Sequence, residues 1–223
     1  MTLVKICGVT SVADANVAVD AGADMVGLIF YPPSPRYVSP LQAGGIVASL
    51  PPELPAVGVF VNESLETITS IASESGISVV QLHGDESPDL CRRLPWRCIK
   101  VFRFTEQVKP EMMPDYPVHA FLIEGFHDEL YGGGGVKADW RRVATLRDYG
   151  RIILAGGLTP GNVQEAIETV RPYAVDVCSG VEDTPGTKDA AKVRAFVKRA
   201  KSAAGEKEGA CLRGERVARP GSG

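Results

Sequence analysis

A closed (βα)₈ barrel is the fold this sequence predicts, and three observations predict it. Strand-like and helix-like runs alternate from the first residues to about residue 200, the strand runs are short and almost continuously apolar, and no linker interrupts the alternation. Strands of that kind are apolar on both faces because helices cover one face and a packed core the other. Eight such units in 223 residues sit at the small end of the barrel's size range. The alternative, an open doubly wound sheet, calls for a Gly-x-Gly-x-x-Gly turn after the first strand and helices that divide into two halves, and neither is present.

Taken in order, the first strand covers residues 3–7, with Val4 and Ile6 on one face and Leu3, Lys5 and Cys7 on the other. Gly8 turns the chain, Thr10 or Ser11 caps the first helix with Asp14 as a capping-box partner, and Gly22 stops it. Strand two (25–30) precedes a helix opened by Ser39-Pro40. Strand three (56–61) precedes one opened by Asn62 or Ser64 and ended by Gly76. Strand four (78–83) is followed by a helix that starts at Ser87-Pro88. Strand five (98–104) leads into a crossover with three prolines, Pro110, Pro114 and Pro117, which predicts a short or irregular helix. Strand six covers 118–124 and strand seven 151–154, with Thr159-Pro160 opening the next helix; strand eight covers 174–178. From Lys201 onward Lys, Glu, Gly, Arg and Ser dominate. The expected organisation is therefore a barrel over residues 1–202 and a disordered tail over 203–223.

Composition narrows the classes of function. A hydrophobic content of 44% supports a sizeable core, and a net charge of −3 leaves no overall basic footprint for nucleic acid. No apolar run reaches membrane-spanning length, and Met1 leads straight into a strand pattern, so a cytoplasmic protein is expected. The five cysteines, Cys7, Cys91, Cys98, Cys178 and Cys211, include no Cys-x-x-Cys pair and read as reduced thiols, not as a disulfide framework or a zinc site.

Barrel active sites form on the loops at the C-terminal ends of the strands, so the residues there are the candidates. Cys7 ends strand one and is either a nucleophile or base, or a small buried packing residue. Lys5 points inward beneath it, and Asp176, on the inward parity of the neighbouring strand eight, is its expected partner. A lysine so paired favours a Cys7 thiolate; a Schiff-base lysine is the lesser alternative. Glu124 closes strand six and is either an acid across the mouth from Cys7 or a solvated strand-end carboxylate. Gly156-Gly157 after strand seven and Ser179-Gly180 after strand eight place bare amides where barrels bind phosphate; tight turns are the plainer alternative. Arg36 sits in a loop stiffened by Pro32, Pro33 and Pro35, suited to a carboxylate or phosphate, although a surface arginine is the commoner case. His83 is a rim acid or base, or a histidine satisfied by a carbonyl. The run Gly132 to Gly135 suggests a loop that orders over ligand.

Six stretches together resemble the phosphoribosylanthranilate isomerase family: Lys5-Ile6-Cys7-Gly8-x-Thr10, Gly22-Ala23-Asp24, Ser34-Pro35-Arg36-Tyr37-Val38, Gln81-Leu82-His83-Gly84, Leu154-Ala155-Gly156-Gly157-Leu158 and Ser179-Gly180-Val181-Glu182. The resemblance implies an enzyme of tryptophan biosynthesis that converts N-(5-phosphoribosyl)anthranilate to 1-(2-carboxyphenylamino)-1-deoxyribulose 5-phosphate by an Amadori rearrangement without metal or organic cofactor. It puts Cys7 on the base, an acid at the end of strand six, Arg36 on the anthranilate carboxylate, and the strand-seven and strand-eight loops on the phosphate. Two departures stand out. The family's usual aspartate is Glu124 here, one methylene longer, and its Gly-Gly-Thr-Gly-Lys loop reads Gly132-Gly133-Gly134-Gly135-Val136. Retained but reduced activity is the expectation, with Asp128 and His127 as substitute acids. Cys178, where serine is usual, reads as a tolerated exchange. A small phosphorylated substrate is the expected partner and a monomer the expected state, a dimer being the alternative. A phosphate-binding barrel without turnover and a sugar-phosphate isomerase of broader range are the competing functions.

Overall fold

A computed structural model describes residues 1–104, 110–125 and 139–203. The expected tail except its first residue, Ala203, which ends the last helix, the Gly132 to Gly135 run, and the substitute acids Asp128 and His127 lie outside them.

Eight parallel strands close into a barrel in sequence order: β1(Leu3–Ile6), β2(Met25–Ile29), β3(Ala56–Phe60), β4(Val79–Leu82), β5(Arg97–Phe104), β6(Ala120–Gly125), β7(Ile152–Leu154) and β8(Ala174–Val177). The ring shuts where β1 pairs with β8, Leu3 to Ala174, Lys5 to Asp176 and Ile6 to Val177. A short antiparallel hairpin, β9(Glu182–Thr184) and β10(Thr187–Lys188), follows β8.

The helices outside are α1(Val12–Asp20), α2(Pro40–Ala48), α3(Leu65–Ser75), α4(Pro88–Arg93), α5(Trp140–Thr145), α6(Val163–Val170) and α7(Ala190–Ala203). Their starts follow side-chain chemistry. Ser11, Ser39, Ser64 and Ser87 each accept from a backbone N–H in the first turn, and Gln42 completes a capping box with Ser39. Asp14 makes no such box. Its Oδ1 accepts from Lys188 N–H at 3.2 Å, because the hairpin offers it a buried donor. Thr10 is likewise drawn to the hairpin, donating to Gly186 O at 2.6 Å. Helix α6 begins at Val163 rather than at Pro160, since Thr159 N–H donates to Asn162 Oδ1 and Gly161 N–H to Thr159 Oγ1, closing a turn first. In the proline-rich fifth crossover the described part is a single 3₁₀ segment, Pro110–Asp115.

Apolar side chains fill two shells. Val4, Ile6, Val26, Leu28, Val80, Leu82, Ile123, Leu154, Val175 and Val177 face the helices. Met25, Val57, Val79, Ile99, Val101, Leu122 and Ile153 pack inside the ring. The inner shell is plugged below by Leu3 and Tyr173, so the barrel is a packed body with its polar groups gathered at the upper rim.

Candidate active site

Cys7 is the first residue beyond β1, and its N–H donates to Val177 O at 2.9 Å, which carries the β1–β8 seam up to the rim. Beneath it the fully buried Lys5 donates from Nζ to Asp176 Oδ1 at 3.0 Å, the pair expected from strand parity. Burial works against the Lys5 ammonium, yet Asp176 and Cys7 outweigh it and its pKa is raised. Burial pushes the Asp176 carboxyl up to about 7, against the pull of Lys5. The Cys7 thiol is held well below its ordinary range: a hydrogen bond from Cys178 does most, and Lys5 and Lys188 add to it, against burial. Cys178 is raised in turn, by its bond to Cys7 and by burial. On the adjacent strand, a Cβ on Gly27 would lie 2.7 Å from Cys7 Sγ and 3.2 Å from Lys5 Cε, so β2 offers bare backbone where the thiol and lysine need room.

Arg36 passes over this corner. Its Nε and Nη2 fork the Glu182 carboxylate at 2.8 and 2.7 Å, tying the proline-stiffened loop to the hairpin beyond β8. Glu182 Oε1 also accepts from Lys188 Nζ at 2.9 Å and from Gly186 N–H at 3.3 Å. Burial alone would raise Glu182; Arg36 and Lys188 overcome it and bring its pKa down to about 2. The fork engages the Nε edge of the guanidinium and leaves Nη1 outside the pair.

Opposite, Glu124 is the next-to-last residue of β6, beside Arg103 of β5, and buried. Its Oε2 lies 3.0 Å from His83 Nε2, and His83 Nδ1 lies 3.2 Å from Gln81 Nε2. An amide nitrogen only donates, so His83 Nδ1 is the acceptor and Nε2–H points at Glu124. The His83 turn is held from below: Lys100 Nζ donates to Glu86 Oε2 and Gly84 O, both at 2.7 Å, and Glu86 accepts from the N–H groups of Asn62 and Gly84.

The two glycine turns share the remaining side of the rim. Gly156 and Gly157 have φ of 84° and 63°, a region that L side chains resist, so this backbone needs glycine. A Cβ on Gly180 would stand 1.9 Å from Leu158 O, so the β8 loop packs directly on the β7 loop. Ser179 begins the 3₁₀ turn between β8 and the hairpin.

The structure therefore brings Cys7 and Arg36 together at one corner: a Cβ on Gly8 would be 2.8 Å from both Arg36 Cδ and Cys178 Sγ. It joins His83 to Glu124 at a second corner, and Gly156 and Gly157 to Ser179 and Gly180 at a third. Asp176, which feels both Lys5 and Glu124, lies between the first two. Sequence reasoning missed Gly27, Gln81, Glu182 and Lys188. Glu182 and Lys188 carried a signal, since two charged residues flank a turn next to the strand that completes the barrel. Among the described residues no group of three His, Cys, Asp or Glu side chains is placed to hold a metal ion, and no helix is long and apolar enough to cross a membrane.

A sequence model of the family described as N-(5'phosphoribosyl)anthranilate (PRA) isomerase matches residues 4–199. The N-(5'-phosphoribosyl)anthranilate isomerase of Geobacter metallireducens is 48% identical over 202 residues, 91% of this chain and all of that protein. A crystal structure of a phosphoribosyl anthranilate isomerase in complex with reduced 1-(o-carboxyphenylamino)-1-deoxyribulose 5-phosphate superposes with a TM-score of 0.82 at 42% identity, over 91% of this chain and all of that one. A structure of monomers generated from the dimeric enzyme of Thermotoga maritima superposes with the same TM-score of 0.82 at 41% identity and the same coverage.

Proposed function

The chain belongs to the N-(5'-phosphoribosyl)anthranilate isomerase family, and on that premise we propose that Cys7 and Glu124 are the base and the acid of its reaction. As a member of that family it is an isomerase of tryptophan biosynthesis that converts N-(5'-phosphoribosyl)anthranilate to 1-(2-carboxyphenylamino)-1-deoxyribulose 5-phosphate.

Glu124, as the carboxylic acid, protonates the furanose ring oxygen; the C1′–O bond breaks and the anilino nitrogen's lone pair forms the C1′=N bond of an open-chain Schiff base. Cys7, as the thiolate, then takes the C2′ proton, and the released electron pair flows to the iminium nitrogen to give an enolamine. Return of a proton to C1′ and loss of the C2′ hydroxyl proton give the ketone, so the substrate's atoms balance. The observation that carries this assignment is the Cys7 corner, where a thiol held far below its ordinary pKa faces a fully buried ammonium at the barrel mouth.

His83 Nε2–H orients the Glu124 carboxyl, leaving its second oxygen to carry the transferred proton. Arg36, braced by Glu182, turns its Nη1 edge to the anthranilate carboxylate. Gly156, Gly157, Ser179 and Gly180 receive the phosphate on backbone amides. Every group in this scheme comes from a single chain, so a monomer suffices for the chemistry, and analytical ultracentrifugation distinguishes a monomer from a dimer. Its location is the cytoplasm, a reducing compartment that keeps the base a free thiol.

The test is to give purified protein freshly made phosphoribosylanthranilate and follow the loss of its fluorescence. Cys7→Ser and Glu124→Ala are each expected to lower kcat by about 10²-fold or more, as general acid–base groups do. A silent Glu124→Ala together with an inactive Asp128→Ala would move the acid to Asp128.

A further inference from the structure

With His83 taken as the group that orients the acid Glu124, as proposed above, we propose that Lys100 and Glu86 are positioning residues for it: from behind the barrel wall their ion pair locks the backbone that carries His83, and so fixes where its ring meets Glu124. Neither side chain faces the mouth. Lys100 lies in register with Leu82 and Phe121, which face the helices, and the Lys100 and Glu86 side chains are 3% and 2% exposed.

Their hydrogen bonds converge on the peptide groups of Gly84, the residue after His83. Both Glu86 oxygens accept from Gly84 N–H at 3.0 Å, and Lys100 Nζ donates to Gly84 O and to Glu86 Oε2, each at 2.7 Å. On the other side of His83, its own N–H donates to Phe60 O at 2.8 Å. The peptides before and after His83 are therefore both held, which leaves the ring its two side-chain torsions, and Gln81 at Nδ1 and Glu124 at Nε2 set those. Asn62, at the end of β3, closes the clamp. Its N–H donates to Glu86 Oε1 at 2.9 Å and its Oδ1 accepts from Asp85 N–H at 2.7 Å, at a φ of 54° that residues with a side chain seldom take. A Cβ on Gly84 would stand 2.2 Å from that Oδ1, so the two loops touch. The Tyr116 hydroxyl adds a bond to Glu86 O at 3.3 Å from the fifth crossover. The barrel does not need charges here, since apolar side chains of like volume often stabilise a buried site as well as an ion pair does. What needs them is the turn: two amides and an ammonium meet at Glu86, and an acceptor-only carboxylate serves all three.

The test compares wild type, Glu86→Gln, and the double variant Lys100→Met with Glu86→Leu in three readings: urea unfolding, kcat and KM, and the NMR signals of the His83 ring nitrogens at about pH 8, where an ordinary imidazole is neutral. His83→Asn assigns those signals. Glu86→Gln sets an NH2 among donors, whereas the double variant removes both charges at similar volume and is expected to unfold near the wild-type urea midpoint. In both, kcat is expected to fall about ten- to a hundredfold, as displacement of a catalytic group does, with KM within about twofold because Arg36 and the phosphate turns are untouched. The single Nε2–H tautomer of the wild type is expected to become a mixture. Wild-type kcat with a wild-type tautomer, in whichever variant folds, would overturn the proposal, and so would a fall in kcat with the ring signals unchanged. The two assignments fail separately: His83→Asn with wild-type kcat removes His83 from the acid, whereas the ring signals need no turnover and judge Lys100 and Glu86 alone.

Discussion

At the scale of single residues, Gly27 gives the thiol of Cys7, proposed above as the base, the room it occupies. An added methyl there would press on Cys7 Sγ at 2.7 Å and on Cys7 Cα at 3.1 Å, with the Lys5 stem at 3.2 Å beside them. Gly27→Ala is expected to cost about 1–3 kcal/mol by overpacking. By pushing the thiol off its line it is expected to lower kcat by up to about a hundredfold. Urea unfolding and steady-state kinetics measure the two effects, and wild-type values in both would show that the strand yields instead. Much of this corner was legible in the sequence. Period-two parity set Lys5 under Cys7, and the neighbourhood of first and last strands supplied Asp176, because both rules act over a few residues or follow from ring closure. Gly27 was not legible, since its constraint comes from side chains of another strand that approach it only in three dimensions. Gln81 was hidden for a related reason: its partner His83 is known only once the rotamers are.

At the scale of elements, the β9–β10 hairpin ties the strand-eight end to the loop that bears Arg36. Arg36 and Lys188 hold the Glu182 carboxylate at about 2 against an ordinary 4.5, despite burial. A carboxylate depressed by folding stabilises the fold fully above about pH 4.5, and that contribution drains away as the pH falls toward about 2. The urea midpoint of the wild type is therefore expected to fall across that window, and Glu182→Gln to fall less steeply from a lower starting point at neutral pH. Parallel slopes for the two proteins would mean that other carboxylates carry the acid response. Element order and most helix starts were readable because each serine cap and each glycine stop acts within one turn. The start of α6 was misplaced by three residues because Asn162 draws Thr159 into a turn, a competition between two local hydrogen-bonding schemes. The hairpin escaped notice because Glu182, Thr184 and Lys188 have too little apolar content to read as strands.

At the scale of the whole molecule, one buried ion pair bridges the first and the last strand of the ring. Removing one partner strands the other charge, so Asp176→Ala is expected to destabilise by about 3–5 kcal/mol, read from urea unfolding. Replacing both, as Lys5→Met with Asp176→Leu, is expected to restore most of that stability while kcat stays low, because Cys7 has lost its ammonium. Recovery of kcat along with stability would show that the lysine serves only the fold. The ring itself was the most legible feature of all, since eight repeats of one pattern leave few ways to close.

The same bridge also has a consequence in time. Lys5 lies on the first strand of the ring and leaves the ribosome 171 positions ahead of Asp176 on the last. Until β8 arrives, the lysine looks onto an open sheet edge, and Cys7 has neither the neighbouring sulfur nor the hairpin's cation beside it. The enzyme does not gain competence by degrees as its units are made. With Cys7 as the proposed base, competence waits for the ends to meet, because a chain of seven units carries the thiol without Cys178 and Lys188, which help to hold it as a thiolate.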